Sequence, residues 1–222
     1  YGDSLCLYED STEQRCVDIS DIGRIDQETI RWSPDSRYVT FTENFFLMLM
    51  DSDIWVWDTE STEVRNLTED GEIRFQFRED NWTGIDVIPH WLPDRRIIFL
   101  RYSEVNGESM PPEIYAVSPD GGEPELIGTV NTRDTMAIYL MDVKNDRLGY
   151  IYFLPSRSPR NGVWVSAIDG SGEEQIIGGE EDTIPPRSID LSPDGRYALI
   201  NVDERRFAPD FSPEKSIFKV VD

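Results

Sequence analysis

Apolar runs of about four to eight residues recur along the chain, each bounded by clusters of Gly, Pro, Asp, Asn and Ser, and this pattern reads as short β-strands joined by tight turns. The clearest instance is residues 113–128. Ile114 and Ala116 on one side, and Leu126 and Ile127 on the other, flank Asp120, Gly121 and Gly122. Such a turn needs positive φ, which glycine adopts at almost no cost. The same hairpin returns at residues 53–68 and 162–178, and more loosely at 5–19. Recurrence at this scale means that the chain is to be read as an array of one structural unit.

A second pattern precedes each hairpin. Trp32, Ser33, Pro34, Asp35, Ser36 and Arg37 end one strand, turn, and lead into Tyr38–Phe41; Pro presets φ for the turn, and Asp and Ser side chains bond back to the turn amides. Trp91, Pro93, Asp94 and Arg96 align with this segment. Asn145, Asp146 and Arg147 carry a damaged copy, and Leu191 to Arg196 a good one. The aromatic position of the third strand falls at Trp55, Tyr115, Trp164 and Phe218, with Cys6 in the same register. Four strands per unit, with units about 40–50 residues long, predict an all-β chain: a β-propeller of four-stranded antiparallel blades, with three complete blades plus partial terminal ones. The expected units are approximately 1–19 (partial), 29–69, 87–128, 137–178 and 187–222 (partial), forming one domain. Extra length is assigned to loops such as 101–112 and 156–161. The first unit has only its last two strands and the last unit lacks its fourth, so the expectation is either a segment of a larger ring or a five-unit ring closed in a modified way. A two-sheet sandwich also has many short strands. It does not explain why Pro-Asp and Arg return at matching positions.

At these residues the chain resembles the TolB-type, or WD40-like, propeller repeats. The shared motif is carried best by Trp32 to Arg37, Leu191 to Arg196 and Ile114 to Leu126, and the resemblance covers nearly the whole chain. It implies an architecture and leaves the task open, because such repeats serve as scaffolds for protein binding and as accessory domains of prolyl-oligopeptidase-like or tricorn-like peptidases. The Arg recurring at 37, 96, 147 and 196 is expected to stabilise its own turn, since a charge present in every unit serves the unit.

Composition narrows the task. A net charge of -23, from 44 acidic and 21 basic residues, gives a self-repelling surface without a basic cluster, which argues against nucleic acid and anionic membranes as partners. Only Lys144, Lys215 and Lys219 are lysine, a bias that suits a salt-rich habitat or a GC-rich genome. The longest apolar run, residues 45–50, is far too short to span a bilayer. The chain starts without an initiator Met or a signal peptide, as after processing or at an arbitrary cut. Cys6 and Cys16 sit on opposite arms of the first hairpin; they read either as a disulfide, which would point to an exported protein in the periplasm or outside the cell, or as two small apolar side chains.

Catalytic chemistry finds little support. His90 is the only imidazole, it lies on an expected strand, and no Gly-x-Ser-x-Gly elbow accompanies it. One His and two Cys do not make a zinc set. Calcium has weak candidates in Glu180, Glu181 and Asp182 and in Asp51 and Asp53, none with EF-hand spacing, so no cofactor is expected. Asn66 and Asn81 head glycosylation-type triplets, which matter only in a eukaryotic secretory setting. The best contact candidates are Phe75, Phe77 and Trp82 in the 71–86 connection, as an aromatic patch or as core. The expected function is therefore a noncatalytic scaffold binding a protein or an attached domain. The alternatives are a gating propeller of a peptidase, and a glycan-acting enzyme with acids at the ring centre.

Overall fold

The computed structural model describes residues 4–10, 12–22, 25–43, 52–69, 81–106, 108–131, 138–153, 158–178, 188–203 and 216–221. They form five antiparallel sheets distributed over two compact units, Tyr1–Leu126 and Ile127–Asp222. In the first unit, β1 (Ser4–Glu9) and β2 (Thr12–Asp18) make a hairpin. A short 3-10 turn at Gln27–Thr29 leads to the meander β3 (Arg31–Trp32), β4 (Tyr38–Thr42), β5 (Ile54–Asp58) and β6 (Val64–Asn66). The next sheet has β7 (Asn81–Trp91), β8 (Ile97–Val105), β10 (Glu113–Val117) and β11 (Glu125–Thr129) in that order, with β9 (Glu108–Ser109) folded back on β8. The second unit holds a four-stranded meander of β12 (Ile138–Lys144), β13 (Arg147–Tyr152), β14 (Gly162–Ala167) and β15 (Glu174–Gly178). Beside it lies a three-stranded sheet of β16 (Ser188–Leu191), β17 (Ala198–Asp203) and β18 (Ser216–Val221). The sheets correspond to three complete blades between two partial ones.

Turn chemistry sets the blade corners. Ser33 Oγ donates to Asp35 at 2.6 Å and accepts from the amides of Arg37 and Tyr38, while Ser36 takes φ 60. Ser192, Asp194 and Gly195 (φ 69) repeat these bonds at the start of β17. In the third blade Leu92 replaces the serine, and the turn is held by the Asp94 carboxylate accepting from the Arg96 amide, with Arg95 at φ 73. Between β10 and β11, Gly121 and Gly122 take φ 94 and 110.

Neighbouring sheets pack face to face through branched and aromatic side chains. Leu5, Leu7 and Val17 of the hairpin cover Val39, Phe41 and Trp57. Tyr38, Ile54, Val56 and Leu67 meet Ile97, Phe99 and Val117, with Trp91 stacked on Tyr38 at 6.1 Å. In the second unit, Ile151 and Val163 pack on Ile189, Leu191, Ala198 and Ile200. Each fully buried side chain of this size contributes about 1.5–3 kcal/mol, and an isolated four-stranded sheet could bury only one face.

Two expectations need correction. The third blade begins at Asn81, ahead of the expected start at 87, so Trp82 lies on β7 opposite Glu104 and outside any loop. Register shifts at Thr83/Ile85 and Val87/His90, with Ile88 at φ 56, break the alternation that would have revealed this strand. The segment expected as a loop at 101–112 instead continues β8 to Val105, turns at Asn106 (φ 53), and returns as β9.

Candidate functional site

In an antiparallel meander alternate connections fall at opposite ends. In each unit the Ser-Pro-Asp and Gly-Gly turns are short and similar between blades, whereas the opposite strand ends lead into segments of unlike sequence: 43–53, 67–80 and 106–112 in the first unit, and 130–137, 153–161, 179–187 and 204–215 in the second. Charged side chains among the described residues form a polar constellation on the third-strand aromatic of each complete blade.

It is organised by one cross-strand register. Phe41 faces Trp55, Phe99 faces Tyr115, Tyr150 faces Trp164, and Asn201 faces Phe218. A different group contacts each of Trp55, Tyr115 and Trp164. In the second blade Glu43 accepts from Trp55 Nε1 and, at 2.8 Å, from the Asp53 amide. Burial is the main cause pushing its carboxyl up to about 7, against the pull of these donors. In the third blade the Arg101 guanidinium lies 4.7 Å from the Tyr115 ring centre and 5.7 Å from that of Phe99. It also clamps Asp86 through two bonds of 2.7 and 2.6 Å. Asp86 is fully buried; desolvation raises its carboxyl and Arg101 opposes that rise. In the fourth blade Arg160 stands 4.5 Å over Trp164 and 5.5 Å from Tyr152, and bonds Glu173 at 3.0 Å. Tyr150 donates its hydroxyl to the same carboxylate, which burial raises above its ordinary range.

The second and third sheets are stitched together here. Asp86 N donates to Ser52 O at 2.7 Å, and Ser52 Oγ returns a bond to Asp86 O at 3.0 Å. Asp53 accepts from Asn66 Nδ2 at 2.6 Å and from Thr68 Oγ1 at 3.3 Å. A carboxyl near neutrality, as in Glu43, has the pKa of a general acid or base. Both Glu43 oxygens, however, are already engaged by fixed donors, and Asp86 is neutralised by a bidentate arginine. The constellation fixes the roots of the connections at 43–53 and 67–80.

The candidates named from sequence fall in different places. Phe75 and Phe77 lie outside the described residues, as do Asp51, Glu180, Glu181 and Asp182. Asp53 is occupied by Asn66 and Thr68, and among the described residues no group of three or more His, Cys, Asp or Glu could hold a metal ion. His90 is buried on β7 opposite Ile98. Cys6 and Cys16 are directly opposed across the first hairpin and joined as a disulfide, their Cα atoms 4.1 Å apart. The recurring arginines do not share one role. Arg96 bonds its own turn acid Asp94 at 2.8 Å, whereas Arg37 reaches the third strand and clamps Asp58, holding that carboxyl down at about 2. Asp35 is instead taken by Arg95 of the next blade at 2.9 Å. Sequence reasoning missed Glu43, Asp86, Arg101, Arg160 and Glu173. A signal for one pair was present, because Asp86 sits between Ile85 and Val87, and Arg101 between Leu100 and Tyr102.

The sheets and their face-to-face packing define a β-propeller. More narrowly, the fold is that of a TolB-like propeller. TolB from Acinetobacter baumannii superposes with a TM-score of 0.54 at 14% identity, over 92% of this chain and 44% of that one. A chain of a nidogen/laminin complex gives 0.54 at 10% identity, over 89% and 68%. Hydrazine synthase from Kuenenia stuttgartiensis gives 0.54 at 14% identity, over 85% and 58%. The chain thus spans less than half the length of the TolB chain. Comparison of the sequence with protein families and with curated proteins gives no match. Among the described residues no helix is long and apolar enough to cross a membrane, which says nothing of β-barrels.

Proposed function

We propose that the chain is a noncatalytic propeller scaffold that binds another protein through the unlike connections of its first unit, in a periplasmic or extracellular setting. The observation that carries this reading is the mutual engagement of the charged groups beneath those connections. Asp86 is spent on Arg101, and Glu43 on Trp55 and Asp53. These groups anchor the connections, and a rigid scaffold with variable connections is a common platform for recognition. The connections are themselves apolar in places: residues 45–50 are six consecutive Phe, Leu and Met, and residues 71–80 contribute Phe75 and Phe77. Aromatic and Met-rich stretches are enriched in interfaces. The cross-strand Cys6–Cys16 bond supports an oxidising compartment.

Chemical cross-linking in the native source, with the linked residues mapped by mass spectrometry, tests the reading. Links concentrated in 44–51 and 70–80 are expected. Links confined to the Ser-Pro-Asp turn end would overturn it, as would an enzymatic turnover abolished by Glu43→Gln.

A further inference from the structure

Resting on that reading, we infer that the β8–β9 projection of the third blade is the subsite of the first unit that receives a polypeptide segment alternating apolar and basic side chains. Among the described strands β9 is the one that leaves the four-strand order of its blade. The strands beside it are long: β8 has nine residues against five in β4 and six in β13, and β7 has eleven against seven in β12. The extra length does not serve blade packing. Ile97 to Leu100 and Tyr102 are completely buried and Ser103 is 8% exposed, but two residues further on Val105 is 41% exposed. A feature that one repeat has and its neighbours lack is not required by the stacking of repeats.

The projection presents one mixed face. Val105 is paired with Glu108, and the ladder continues with the Met110 amide donating to Ser103 O at 3.0 Å. Directly opposed residues share a face and successive ones alternate, so Ser103, Val105, Glu108 and Met110 stand on the same side of the sheet. It is the side of β8 on which Phe99 packs against the second blade and Arg101 holds Asp86. Val105 and Met110, the latter 39% exposed, lie on a diagonal, and the exposed Glu108 occupies the corner between them.

That corner selects the occupant. A wholly apolar segment would cover Glu108 without giving it a cation, and an acidic one would meet a like charge. The sequence around it reinforces the preference, because residues 67–80 and 106–112 contain six acids against two arginines, Arg74 and Arg78. Arg101, the cation on the same face, is committed to Asp86 through two bonds. A Lys or Arg of the incoming segment therefore answers Glu108, while the apolar residues on either side of it cover Val105 and Met110.

The test follows amide exchange of the whole chain with a synthetic peptide of alternating leucine and lysine. Exchange across residues 103–110 is expected to slow at saturating peptide. Val105→Thr combined with Met110→Gln, two exposed sites at which side-chain size is nearly kept, should weaken binding about tenfold. Glu108→Lys should weaken it by at least as much, whereas Glu123→Lys, the same change of charge at the exposed Gly-Gly turn end, should alter it by no more than about twofold. Equal losses from the two charge substitutions would mean a general attraction to an acidic surface and would overturn the inference. So would unchanged exchange of residues 103–110 at millimolar peptide, equal binding of a serine–lysine peptide, or protection that follows protein concentration without peptide, which would make a second copy the occupant. In cross-linking from the native source, links in 44–51 and 70–80 with none to 105–110 would overturn this subsite and leave the wider reading standing, whereas links confined to the turn end would remove both.

Discussion

Replacing Glu43 by Gln should reverse its effect on stability between acid and alkaline conditions. In the native fold burial beside Asp53 pushes the Glu43 carboxyl from 4.5 up to about 7. A raised acid binds its proton in the folded state over a range where the unfolded chain has already released it, so stability falls as pH rises. The full contribution is present below about 4.5 and is lost as pH rises through about 7. At about 1.4 kcal/mol per pH unit the shift corresponds to a ceiling of about 3 kcal/mol. Gln carries no charge at any pH, but its single amide oxygen faces two donors, Trp55 Nε1 and the Asp53 amide, and one unmatched bond costs about 1 kcal/mol throughout. The variant should therefore be about 1 kcal/mol less stable than the parent near pH 4, and about 2 kcal/mol more stable near pH 8. Urea unfolding at both pH values, followed by far-UV circular dichroism, measures the two differences. Other buried acids and the net charge affect both proteins alike and cancel in the comparison. A difference that stays constant from pH 4 to pH 8 would refute the reasoning.

Arg101→Met should destabilise the chain by roughly 3–5 kcal/mol, because Asp86 is left buried without its cation; adding Asp86→Asn should recover most of the loss in thermal melts, and no recovery would deny the pair its role. Asp58→Ala removes the clamp on Arg37 and the cap on the Glu60 amide, and should cost about 2 kcal/mol at neutral pH. Because this carboxyl is held down at about 2, its contribution is present above about 4 and is lost as pH falls through 2, so Asp58→Asn should flatten the acid limb of the stability profile. The intact mass under nonreducing conditions should lie two hydrogens below the reduced form, and free-thiol labelling of both Cys6 and Cys16 would exclude the bond. Replacing both cysteines by Ser should cost about 2–3 kcal/mol for a loop of this length.

What the sequence made legible is what local chemistry decides. Ser33, Pro34 and Asp35 specify their turn through bonds spanning no more than five residues, and Gly121 and Gly122 specify theirs through φ alone. The aromatic register was readable because the repeat places Trp55, Tyr115 and Trp164 alike. The groups that close off those aromatics were not readable. Glu43 meets Trp55 across a connection whose length differs in every blade, and Arg101 finds Asp86 through a strand pairing that two register shifts displace. The same shifts concealed the start of β7 and put Trp82 on a strand. Arg37 illustrates a further limit: its turn acid Asp35 is two residues away in sequence, yet its clamp is Asp58 on the third strand, and Asp35 answers to Arg95 of the next blade.

The division of labour between the two ends follows from how charge is spent. Of the cations described, Arg37, Arg65, Arg95, Arg96, Arg101, Arg160 and Lys144 all lie within ion-pair distance of carboxylates. Among the described residues positive charge is therefore largely spent within single blades, with Arg95–Asp35 joining two of them, against a net charge of -23 for the chain. A polyanion would have to break these pairs to gain counterion release, giving up bonds such as Arg101–Asp86 that are costly to leave half made. An apolar or cationic polypeptide meets no such cost. It can bury aromatic and Met-rich connections without disturbing the anchors beneath them. The arrangement that makes each blade rigid thus also supports the polypeptide partner proposed above.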